Sequence, residues 1–269
     1  MRLRLTLLVP LLVPTVVATQ APAALETPTA VSFQFARFAD IFGSRLVAAF
    51  DSIPANRYDY RPVRSQQTVG YVAQHLESAN YSLCERLGAA KHPETSKDSL
   101  ADSLKARWPK DTLVARLDAS LRFCDAALDR LGQLDSPAVA STLLALETDL
   151  AEHYSQISVY MRLLGLVPPS ALPPKQRIAI DLPPATLAPY AGEYEVARGL
   201  DLVVAQHNDT LTVRSIPGGA TVRLWPETAT SFFVKEIDAQ VTFTRDQRNI
   251  VTGLIWHQYN RDRRATKTR

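Results

Sequence analysis

His75, Asp149 and His153 are the side chains in this sequence whose types and spacing suit chemistry, because two imidazoles and a carboxylate make a ligand set for a divalent metal. Residues 143–169 read LLALETDLAEHYSQISVYMRLLGLVPP. An α-helix turns about 100° per residue, so Asp149 and His153 share one face and Gln156 stays beside them. Leu143, Leu146, Leu150, Ile157, Tyr160, Met161 and Leu164 recur at three- and four-residue steps and predict a buried stripe on the same helix. Gly165 and Pro168-Pro169 end it, since glycine accepts a left-handed cap and proline cannot continue the ladder. An Asp and a His four residues apart are most often a hydrogen-bonded or solvated pair, so this helix alone does not define a site. The third ligand is expected from YVAQHLESANYSLCERLG, where His75 lies on or beside the inward face set by Val72, Leu76, Ala79 and Leu83. If both helices pack in one bundle, two nitrogens and one oxygen converge and leave coordination positions open for water or substrate. Gln156 and Tyr81 are the residues expected to place that water or substrate, and Asn80 follows the same helix. Glu152 is expected to be exposed and salt-bridging, with Tyr160 and Arg162 packing and capping.

Positioning these groups requires a helical domain. A first helix is expected over 32–52, with Phe35, Phe38, Phe42, Leu46 and Phe50 in the core and Ile53-Pro54 breaking it. The His75 helix needs a cap, and Ser65 or Thr68 supplies the hydroxyl. Charged, irregular sequence fills 91–110, with a short helix around 99–107 and a solvated His92, before a third long helix over 111–131. With the last helix at 138–164, the chain offers four helices, enough for one bundle core.

The chain begins with Arg2 and Arg4, an apolar run LTLLVPLLVPTVVA and a small Pro- and Ala-rich segment, the pattern of a signal peptide over 1–23. Its apolar stretch is short and broken by proline, so no membrane span is expected after cleavage. Formal net charge is +3 and falls to +1 without those two arginines. No basic stripe interleaved with aromatics is present, so nucleic acid is not an expected partner. An exported chain with two cysteines favours a Cys84–Cys124 bridge over two buried thiols.

A proline-rich linker is expected over 173–186, followed over 187–267 by short β-rich runs separated by turn signals. Leu202/Val204, Leu211/Val213 and Val241/Phe243 alternate as in an antiparallel sheet or small barrel. His257 and Trp256 are read as structural, and the basic tail RDRRATKTR as mobile. The fold class is thus α+β multidomain: a four-helix bundle over 31–172, then a small antiparallel β-domain.

The last helix, EHYSQISVYMRLLGLVPPS with its tail Y-x-R-x-x-G-x-V-P-P, resembles that of the DinB-like (damage-inducible protein) metal-binding four-helix bundles. ANYSLC after His75 is similar to their second helix. The resemblance implies that His75 and His153 match two of the family's three metal-ligating histidines, with Asp149 at the third position. It implies a divalent transition metal (zinc, nickel or iron) as cofactor, and a metal-dependent transferase or hydrolase acting on an unidentified small molecule. The opening L-x-x-Y-x-G-x-Y of the β-domain, Leu187, Tyr190, Gly192 and Tyr194, is similar to small β-domains appended to exported serine β-lactamase-like proteins, which implies an accessory role. No nucleophile elbow, phosphate-cradling glycine loop or zincin motif occurs, which leaves the helical site as the chemical candidate. The competing reading is a non-catalytic binding or scaffold protein with a degenerate metal site and a partner-binding β-domain. Either reading leaves a homodimer open.

Overall fold

The computed structural model describes residues 29–88, 91–92, 98–132, 136–216, 218–259 and 261–269. The expected signal peptide lies outside them. Helix α1 (Ala30–Ser52) starts at Thr29, whose side chain accepts from the Ser32 backbone while Ser32 returns the bond to the cap, a reciprocal capping box. Helix α2 (Val69–Arg86) starts at Thr68, whose Oγ1 accepts from Tyr71 N at 3.2 Å, so Thr68 rather than Ser65 is the cap. A short α3 (Asp102–Lys105) leads into α4 (Lys110–Leu128), and α5 (Pro137–Leu163) carries proline in its first turn, where no N–H is missed. Gly165 takes φ 75° after α5, and Leu166 N closes back on Met161 O at 2.8 Å.

The four long helices bury the expected stripes: Leu143, Leu146, Leu150 and Ile157 of α5 meet Val72 and Leu76 of α2 and Leu46 and Phe50 of α1 in one cluster. Phe38 departs from expectation and is 47% exposed. The inward seam of α1 is instead lined by Ala36 and Ala39, whose small side chains let the helix sit close and turn Phe38 outward. Gly70 serves a similar end in α2. A Cβ there would lie 2.2 Å from Ala106 O, so only glycine lets the first turn of α2 approach the α3–α4 connection. Cys84 and Cys124 form a disulfide with Cα atoms 5.2 Å apart, tying the end of α2 to α4.

After α5 the chain runs through prolines to a one-turn α6 (Pro184–Leu187), then enters a closed antiparallel barrel. Its strands are β1 (Gly192–Ala197), β2 (Leu200–His207), β3 (Thr210–Ile216), β4 (Val222–Pro226), β5 (Ser231–Val234), β6 (Ala239–Arg245), β7 (Val251–Gln258) and β8 (Arg261–Lys267). Alternation puts Val204, Leu211, Val213, Val241 and Phe243 inside. Tyr190, Tyr194, Phe232 and Phe243 fill one end, with Tyr190 stacked on Phe243 at 4.3 Å and Tyr194 Oη donating to Tyr190 O.

The basic tail is not mobile. It is β8, which pairs with β7 along its length and with β1 at Tyr194↔Lys267 to close the barrel. Its alternation of charged residues hid a strand in which Arg261 and Arg263 share the inward face of buried Ala265 and meet the helical domain, while Asp262, Arg264 and Thr266 face solvent. Arg263 Nε donates to Asp40 Oδ2 of α1 at 3.0 Å and its Nη1 to Asp129, while Arg261 Nε lies 2.6 Å from Asp125 Oδ2 of α4. Ala30 N donates to Arg198 O at 2.9 Å beside them. Two guanidiniums thus face three carboxylates. The surplus negative charge is consistent with burial pushing Asp40 up and Asp125 up to about 7 against the pull of the arginines.

Arg263→Ala strands Asp40 against the barrel and should lower stability by roughly 3 kcal/mol, read as a loss of urea midpoint; an unchanged midpoint would show that the network contributes nothing. The disulfide closes a 40-residue separation. Cys124→Ser should destabilise by about 4 kcal/mol, and reduction with alkylation of the native protein should add two labels where unreduced protein adds none.

Candidate metal centre

Helices α2 and α5 pack side by side, and their facing turns place His75 opposite Asp149 and His153. Asp149 Oδ1 lies 3.5 Å from His75 Nε2 and 3.4 Å from His153 Nε2, so one carboxylate oxygen sits between two ring nitrogens. The rings are 4.9 Å apart at 71°, edge to face, and the three ligand atoms all fall within 4.8 Å of one another. Ligands about 2.0–2.1 Å from a tetrahedral ion are about 3.3 Å from each other, which the two nitrogen–oxygen separations approach. Asp149 Oδ2 is buried and finds no hydrogen-bond partner among the described residues. A carboxylate with one unsatisfied buried oxygen, flanked by imidazoles, suits a divalent cation in its donor chemistry.

Exposure is graded across the triad. The His153 side chain is 14% exposed, Asp149 22% and His75 38%, so the centre is closed toward α5 and open at His75. Burial alone would raise the Asp149 pKa, but hydrogen bonds from His153 and His75 outweigh it and hold the carboxyl down at about 2. Burial would likewise lower the His153 pKa, yet its bonds to Asp149 and Gln156 leave it raised.

Gln156 is the residue that orients the centre. Its Oε1 lies 2.9 Å from His153 Nδ1, so that ring nitrogen donates there and Nε2 is turned to Asp149. Gln156 Nε2 donates in turn to Tyr160 Oη at 3.1 Å, and Tyr160 Oη lies 2.8 Å from Gln66 Oε1 and 3.1 Å from Gln67 O. Gln66 and Gln67 line an open cleft with Arg61, Arg64 and Tyr71. A hydrogen-bonded chain therefore runs from the triad to that cleft.

Residues 40–157 match the model of the DinB superfamily. The helical part is a DinB superfamily domain. Residues 176–268 match a domain of unknown function, DUF3471, which takes in the barrel. No curated protein matches the chain.

Within the DinB domain, the structure brings His75, Asp149, His153 and Gln156 together and does not bring Tyr81 to them. Tyr81 is six residues past His75, about 240° around α2, and stacks on His92 at 4.4 Å and edge-on to Phe123 at 5.2 Å. His92 is not solvated as expected; its Nδ1 meets Glu85 Oε1 at 2.7 Å. His257 is structural, held between Asp262 and Thr242. Sequence reasoning missed Gln66 and Gln67, whose only signal is adjacency to the Thr68 cap. It also missed Glu147, whose two carboxylate oxygens are buried without a partner among the described residues and whose pKa burial pushes up to about 8. Glu147 points into a groove against Phe35 and Phe42 of α1, away from the triad.

Metal must displace a proton from His153, so affinity should fall as pH drops through its raised pKa, about tenfold per pH unit, while Asp149 stays charged. Zinc titration calorimetry across that range checks this, and a pH-independent affinity would refute it. In metal-free protein the signs run the other way for the two groups. The raised His153 pKa stabilises below the ordinary value of 6.5 and is lost as pH rises through the folded value. The lowered Asp149 pKa stabilises above 3.8 and is lost as pH falls toward about 2. Chelated protein should therefore lose stability as pH rises from 6.5 through the raised His153 value, and zinc should restore it.

Proposed function

We propose that the DinB domain holds a divalent transition metal (zinc, nickel or iron) through His75 Nε2, Asp149 Oδ1 and His153 Nε2, and acts as a metal-dependent hydrolase or transferase on a small molecule. The observation that carries this reading is the one-sided build of the triad, three protein ligands with solvent at His75. Structural metal sites are closed by a fourth protein ligand, whereas catalytic ones keep a position open. A divalent ion so held supplies Lewis acidity to a water or a thiol at neutral pH.

The chain's own groups have separable parts in this reading. Asp149 offsets positive charge and joins the two helices. Gln156 holds the His153 ring in one tautomer, a positioning role that replaces the expected direct hold on water. His75, on the exposed side, borders the approach of substrate. Export to an oxidising compartment is part of the proposal, supported by the Cys84–Cys124 bridge. Among the described residues no helix is long and apolar enough to cross a membrane.

Hydrolysis of p-nitrophenyl acetate and thiol addition to a chlorodinitrobenzene, each measured on chelated and on zinc-, nickel- or iron-loaded protein, test the reading. At least one rate should rise in proportion to bound metal and fall about 100-fold in His153→Ala. Gln156→Ala should lower metal affinity about 10-fold or more while leaving the fold intact. Rates that are equal with and without metal would remove the enzyme and leave a binding or scaffold protein.

A further inference from the structure

The barrel is filled unevenly. Tyr190, Tyr194, Phe232 and Phe243 pack one end, while Val196, Leu202, Val213, Val222 and Trp256 at the opposite end line a semi-enclosed cavity of about 400 Å³. The roof of that cavity is α1, which lays Phe33 and Gln34 across the mouth. It is kept there by Ala30 N on Arg198 O and by Arg263 on Asp40. Eight-stranded barrels have an interior that side chains either fill or leave wide enough for one small ligand, and this one does the first at one end and the second at the other. Apolar walls around an opening of this size are unfavourable to water and suit a ligand that buries hydrocarbon.

The charges at the lip indicate the other half of the ligand. The cavity is bordered by Arg37, Arg214 and Arg263 and by a single acid, Asp40. Asp40 Oδ2 and Arg263 are paired with each other. Arg37 and Arg214 are exposed, and neither has an ion pair or hydrogen bond among the described residues. Both residues line the cavity, Arg37 from the α1 roof and Arg214 from β3 of the wall. We propose that the barrel mouth binds a small amphipathic carboxylate, its hydrocarbon tail inside the β-domain and its carboxylate held by Arg37 and Arg214. Because the pocket is built jointly from α1 and the barrel, an occupant would also strengthen the contact between the two domains.

Titration calorimetry of the full chain with decanoate, 1-decanol and decyltrimethylammonium tests this, with EDTA present so that no carboxylate is captured through metal at the triad. Decanoate should saturate one site below about 1 mM and bind about tenfold or more tighter than the alcohol, with the cationic amphiphile weakest. The double variant Arg37→Ala/Arg214→Ala should weaken decanoate about tenfold and leave 1-decanol unchanged, whereas Leu202→Trp, which fills the mouth, should abolish both. If Leu202→Trp fails to fold by circular dichroism, the arginine pair alone decides. No saturation by decanoate, equal affinity for all three amphiphiles, or full binding by the arginine variant overturns the proposal. Loss of binding in Phe38→Ser, which alters the exposed α1–α5 groove, places the ligand elsewhere and overturns it as well.

Discussion

One carboxylate oxygen shared by two imidazoles from two helices is the interaction on which the site depends. Asp149 Oδ1 lies within 3.5 Å of both His75 and His153, so the register of α2 against α5 must be right to a fraction of a helical turn. Several features at a distance hold that register. Thr68 fixes where α2 begins, Gly70 lets its first turn approach the α3–α4 connection, and the Cys84–Cys124 bridge ties its far end to α4. Tyr160 reaches back from α5 to the loop before α2, joining the two helices through Gln66 and Gln67. The polar triad sits beside a stripe of fully buried leucines, and packing of that stripe gives the rigidity that a polar cluster near solvent would lack.

The helical half was largely legible because its code is local. Periodicity set the four long helices, and the i, i+4 spacing put Asp149 and His153 on one face before any tertiary contact was known. The pairing with His75 needed the bundle, which periodicity does not specify; the likeness of the flanking segments to DinB-like helices supplied it. Phe38 was misread because a run of phenylalanines at helical spacing looks like core, while the seam α1 uses is marked by alanines that carry little hydropathic signal. Tyr81 was misplaced for a related reason: nearness in sequence to His75 is not nearness around a helix.

The barrel was legible as alternating strands but not as a closed object. Closure depends on β8, whose RDRRATK sequence carries one buried residue and otherwise reads as a solvated tail. Arg261 and Arg263, on the same face as Ala265, are not solvated because the helical domain presents Asp40, Asp125 and Asp129 to them. Such complementarity between segments more than 130 residues apart leaves no periodic trace. The same contact positions α1 over the barrel mouth, so the strand that closes the β-domain also joins it to the DinB domain and shapes the cavity between them.

The central claim is that His75, Asp149 and His153 act together as ligands of one ion. X-ray absorption of stoichiometrically zinc-loaded protein measures this directly. The account predicts two imidazole ligands at about 2.0–2.1 Å with the remaining positions occupied by oxygen, and one imidazole in His75→Ala. A spectrum with fewer than two imidazoles in the wild-type protein, or one unchanged by His75→Ala, would contradict it.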